Sequence, residues 1–121
     1  MVLAAANKEK RLLYLAFIGQ VRAKELARDR EQAVKLSAEL PAGFRLLTDL
    51  SRLDSMDTNC ESEISKLMEA LDHNGIALVV RVIPSPSKDI GFNILGAFHY
   101  RRQVKAISCS TMEEAARLLG L

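Results

Sequence analysis

Residues Arg11–Ile18 read RLLYLAFI, and this stretch decides the fold class. Leu12, Tyr14, Ala16 and Ile18 fall on one side of an extended chain, and Leu13, Leu15 and Phe17 on the other. A strand apolar on both faces must be covered on both faces, which is the condition of a sheet inside an α/β domain. Gly19 closes the strand. Outward from it, Val21–Leu40 carries Ala23, Leu26, Ala27, Ala33, Val34, Leu36 and Leu40 at helical spacing. Arg30 intrudes on that apolar arc and is expected to extend its charged head to water. Pro41 and Gly43 end the helix.

The same alternation continues along the chain. Phe44–Leu50 reads as a second strand that turns polar at Thr48 and Asp49. Ser51–Met56 reads as a loop. A helix from about Asp57 to Asp72 follows, with Cys60, Ile64, Leu67, Met68 and Leu71 on one stripe and Asn74-Gly75 as its C-terminal cap. Ile76–Ile83 is a third strand, Asp89–Tyr100 a glycine-weakened third helix, Val104–Cys109 a fourth strand, and Thr111–Leu119 a last helix with Thr111 and Glu114 at capping-box spacing. Residues 1–10 form either a short edge strand or a frayed end. The expectation is one α/β domain over 1–121: a small, mostly parallel sheet of four to five strands with about four helices.

Composition agrees. The 121 residues suit one domain, and 49% hydrophobic with 26% charged residues is enough for a core. A net charge of +2 gives no reason to expect nucleic-acid binding. No apolar run reaches the roughly 20 residues of a membrane span. Cys60 and Cys109 stand alone, so the expectation is two buried thiols in a reducing cytoplasm, with no metal and no cofactor.

Ligands of open α/β sheets gather at the carboxyl ends of the strands. The richest such segment is Asp49–Asn59, with Asp49, Ser51, Arg52, Asp54, Ser55, Asp57, Thr58 and Asn59. No glycine-rich phosphate loop is present, and Asp57, Glu61 and Glu63 would repel an anion at the helix start. No nucleophile motif places a serine beside His73 or His99. Asp57 or Thr58 as N-cap, with Thr58 and Glu61 as a capping box, is the structural reading of that turn. The basic run Arg101, Arg102, Lys105 is expected to complement the C-terminus of the third helix, with a docking surface for an acidic partner as the functional alternative. These observations favour a binding or switching module over an enzyme.

Asp49–Cys60 reads DLSRLDSMDTNC and resembles the signature turn of the STAS domain, the fold of anti-sigma factor antagonists and of the cytoplasmic tails of sulfate transporters. In that pattern a strand ends in Asp-Leu-Ser, and Met-Asp-Ser-Ser-Gly opens a helix. Asp49, Leu50, Ser51, Met56 and Asp57 match without a gap. Thr58 stands at the first serine of the pair. Asn59 replaces the second, commonly the phosphoacceptor, and Cys60 replaces the glycine. The resemblance implies a non-enzymatic regulatory module that binds a protein partner, such as an anti-sigma-type kinase, through Asp49, Ser51, Ser55, Asp57, Thr58 and Asn59. Thr58, or less readily Ser55, would accept phosphate. Val79–Arg102 with Thr111–Leu119 is similar to divergent STAS-like proteins that share the fold of SEC14-type lipid-binding domains. That likeness implies the alternative of a carrier or sensor of a small apolar ligand, held by Phe92, Leu95 and Phe98 with Tyr100 close by. A homodimer through an open sheet edge is also expected.

Overall fold

The computed structural model describes residues 1–84 and 104–121. Its main sheet has five strands in the order β1-β2-β4-β6-β7. These are β1 (Val2–Asn7), β2 (Leu12–Phe17), β4 (Arg45–Asp49), β6 (Leu78–Val82) and β7 (Lys105–Cys109). The sheet is mixed: β1 runs antiparallel to β2, and the other three pairings are parallel. A separate two-stranded sheet joins β3 (Gly19–Val21) to β5 (Leu53–Met56). Three helices stand among the described residues: α1 (Ala23–Ala38), α2 (Cys60–His73) and α3 (Met112–Leu118). The helix expected at Asp89–Tyr100 lies outside them.

The two apolar faces of Arg11–Ile18 go where the pattern requires. Leu13, Leu15 and Phe17 join the larger core, which holds the buried Cys60, Ile64, Leu67, Met68 and Leu71 stripe of α2 and Leu26 and Ala33 of α1. Leu12 joins a smaller core on the opposite face with Leu47, Val80, Val82 and Ala115 and Leu119 of the C-terminal segment. Each fully buried side chain of this kind contributes about 1.5–3 kcal/mol, so five on α2 fix its docking. The Arg30 side chain is half-buried. It pairs with Glu63 and so ties α1 to α2, while Lys66 reaches the same carboxylate at 3.5 Å.

Three expectations change. The segment expected as the Ser51–Met56 loop contains β5, although Asp54 and Ser55 have poor strand propensity. Its partner decides: Gln20 pairs with Ser55 and Val21 with Met56. That pairing also takes Val21 out of the expected helix, so α1 begins at Ala23. Gly19, at φ +70°, makes the bend between β2 and β3. Finally, the expected Thr58–Glu61 capping box is absent. Asn59 is the N-cap, without a side-chain cap bond. A turn wound ahead of the helix already supplies acceptors, since Cys60 N–H donates to the Asp57 carbonyl at 2.9 Å and Glu61 N–H to that of Thr58 at 3.2 Å. At α3 the expected cap forms, with Glu114 N–H donating to Thr111 Oγ1 at 3.1 Å.

Candidate functional site

The parallel strands β2, β4 and β6 end together, and β4 ends on Asp49. Asp49 is 3% exposed, and its carboxylate is bonded on both oxygens. Ser51 donates to Oδ1 twice, from its backbone N–H at 2.9 Å and from its hydroxyl at 2.6 Å. Tyr14, on the neighbouring β2, donates its hydroxyl to Oδ2 at 3.4 Å. A short side-chain turn of this kind satisfies a buried charge by local bonds. Burial, with the Asp49 charge as the second cause, raises the Tyr14 phenol above its ordinary pKa, while the Arg52 guanidinium pulls the other way.

Beyond Asp49 the chain is pinned at intervals and open between. Leu50 N–H donates to the Val82 carbonyl at 2.9 Å, and Gly19 N–H to that of Arg52 at 2.9 Å. Leu50, Leu53, Met56 and Cys60 are buried, whereas Ser51, Arg52, Asp54, Asp57, Thr58 and Asn59 are exposed and Ser55 is half-buried. The Cys60 thiol lies against the Val21 carbonyl at 3.7 Å. Burial and then the Asp57 charge push its pKa up to about 11. A glycine at that position would leave a gap that the thiol fills. The result is a rim of polar side chains held over a rigid apolar footing, a common arrangement for recognition loops.

Of the residues expected to act together, Asp49 and Ser51 are in direct contact. Asp57, Thr58 and Asn59 form the turn before α2, and Ser55 lies on β5. His73 sits at the far end of α2, away from this rim. His99 and the apolar-ligand residues Phe92, Leu95 and Phe98 lie outside the described residues, as do Tyr100, Arg101 and Arg102. Both cysteines are buried and unbonded to one another.

Sequence reasoning missed Tyr14 and Arg81. A tyrosine in a doubly buried strand needs a partner for its hydroxyl, and that rule would have pointed to Tyr14. Arg81, the penultimate residue of β6, is 8% exposed and donates to Ser108 Oγ from Nε at 3.2 Å and Nη2 at 2.8 Å. Burial lowers its pKa.

No family model matches the chain, and no curated protein matches it in sequence. Its backbone superposes on a structure described as the anti-sigma factor antagonist SpoIIAA in its unphosphorylated form, with a TM-score of 0.65 over 100% of both chains. The chain has the STAS fold of SpoIIAA. The phosphorylated form of SpoIIAA, described as a Bacillus cell fate determinant, gives a TM-score of 0.60 over 98% of this chain and 99% of that one. Sequence identity is 15% to the first and 10% to the second, so the likeness to SpoIIAA is one of fold. A structure described as Mglu is similar over 69% of this chain but only 20% of its own, with a TM-score of 0.50 and 16% identity. Among the described residues no helix is long and apolar enough to cross a membrane.

Proposed function

We propose that this protein is a non-enzymatic regulatory module of the cytoplasm that binds a protein partner through the Asp49–Asn59 rim, and that Thr58 is its phosphoacceptor. The observation that carries the reading is the start of α2. Thr58 and Asn59 are both exposed there, the N-cap Asn59 makes no side-chain cap bond, and the Thr58 hydroxyl makes no hydrogen bond among the described residues. SpoIIAA, of the same fold, has been described in phosphorylated and unphosphorylated forms. Asn59 itself cannot accept phosphate, so a hydroxyl donor must be a neighbour, and Thr58 is nearer the helix start than the half-buried Ser55. A kinase of the anti-sigma type is the partner that the resemblance implies. Phosphate on Thr58 adds about −1.5 to −2 charge beside Asp57 and Glu61, which repels an acidic or neutral partner face.

Affinity capture from the native host, read by mass spectrometry for partners and phosphosites, tests this. Wild type is expected to retain a partner that Thr58→Glu loses and Thr58→Ala keeps. Equal recovery with all three forms removes the switch. The open edge of β1 offers a second copy a strand to pair with, and sedimentation velocity across a concentration series tests that association.

A further inference from the structure

The end of the sheet opposite the rim carries a different chemistry. There the parallel strands begin, and Leu12, Arg45, Leu78 and Lys105 stand in register across four strands. The turn from β1 to β2 delivers Lys8, Lys10 and Arg11 to the same end, and α3 delivers Arg117. One guanidinium joins these pieces. Arg45 Nη2 donates to the Lys10 carbonyl at 2.8 Å and Nη1 to the carbonyl of Leu119. Arg45 N–H donates to the Arg11 carbonyl at 2.8 Å. The turn, the first residues of the strands and the end of α3 are therefore one continuous surface.

Lys8, Lys10, Arg11, Lys105 and Arg117 are all exposed, and none takes part in an ion pair among the described residues. Glu9 is the carboxylate that accompanies them on the turn. Leu118, 42% exposed, stands beside Arg117. This end thus holds five cations without an ion pair among the described residues and an exposed leucine, against the exposed carboxylates of Glu9 on the turn and Glu39 just past α1.

We propose that this end docks on the surface of an anionic lipid bilayer, with Lys8, Lys10, Arg11, Lys105 and Arg117 facing the headgroups and Leu118 entering the interface. The cations are long side chains held by no fixed partner among the described residues. A fluid sheet of anions needs no fixed geometry from them, whereas an acidic protein face would reward pre-set pairs. Lysine and arginine stems also tolerate the interface with their heads in the polar layer. Docking here leaves the Asp49–Asn59 rim pointing away from the membrane, so this inference does not depend on the partner proposed above.

Co-sedimentation of the intact chain with vesicles tests it, comparing phosphatidylcholine alone with phosphatidylcholine mixed with phosphatidylserine. Binding is expected only to the mixed vesicles and is lost at high salt. Lys10→Gln and Lys105→Gln should each weaken it about five-fold. Both keep the backbone carbonyl that Arg45 uses. Leu118→Ser should weaken it without changing the salt dependence. No binding to mixed vesicles at low salt, equal binding to both compositions, or binding that both glutamine variants leave intact overturns the proposal. So does capture of an acidic protein that requires Lys10 and Lys105 while the vesicles stay bare.

Discussion

Thr48 is the residue whose replacement most directly checks the packing behind the candidate site. It precedes Asp49 on β4, is 1% exposed, and its hydroxyl finds no hydrogen-bond partner among the described residues. In register it lies between Leu15 of β2 and Arg81 of β6, on the face covered by α1 and α2. A buried hydroxyl that bonds nothing loses its water without compensation, at a cost of about 1–3 kcal/mol. Valine has nearly the same shape and the same strand preference, so Thr48→Val removes that cost and opens no cavity. We expect a gain of about 1–2 kcal/mol, or about 3–5 °C in Tm for each kcal/mol at this chain length. Thr48→Ser keeps the hydroxyl and deletes a buried methyl, so it should lose about 1 kcal/mol. Urea unfolding followed by circular dichroism should place the midpoints in the order valine, wild type, serine, with an unchanged slope. A loss of 1 kcal/mol or more in the valine variant would show that the hydroxyl is bonded, and the account of this row of the sheet would be wrong. Partner capture should not change with valine, because the Asp49–Ser51 turn uses no atom of the Thr48 side chain.

Three further outcomes follow from single residues. Asp49→Asn removes the second cause of the raised Tyr14 pKa, so the phenol should titrate lower than in wild type by ultraviolet difference spectroscopy; an unmoved or higher value contradicts the contact. Burial lifts Cys60 from the ordinary 9.0 to about 11, so the unfolded chain releases this proton first as pH rises. Stability from this thiol is fully present below pH 9 and declines toward 11, a fall that Cys60→Ala should flatten in urea midpoints measured across that range. Gly75 sits at φ +95° with the position of a Cβ only 3.0 Å from that of Ala42, so Gly75→Ala should destabilise by about 1–3 kcal/mol in the same assay.

The order β2, α1, β4, α2, β6, β7, α3 was legible from hydrophobic periodicity and turn signals along the chain. The double-sided Arg11–Ile18 run and the Cys60–Leu71 stripe are buried as their spacing requires. The polar Asp49–Asn59 segment was legible as well, but the bond from Ser51 to Asp49 was not read from it. Other features are decided by partners distant in sequence. β5 exists only because β3 lies beside it, and that pairing moved the start of α1. The Thr58 side chain is uncapped because backbone carbonyls of its own turn meet the helix N–H groups first.

By itself, the sequence determined an α/β domain with its polar residues gathered after the second parallel strand. Local spacing is sufficient for that, because hydrophobic periodicity is a property of each segment alone. Only the tertiary structure decided that Tyr14 would meet Asp49, and that cations at 8, 10, 11, 45, 105 and 117 would share one end. The reason is register: parallel strands place their first residues side by side, whatever their separation along the chain.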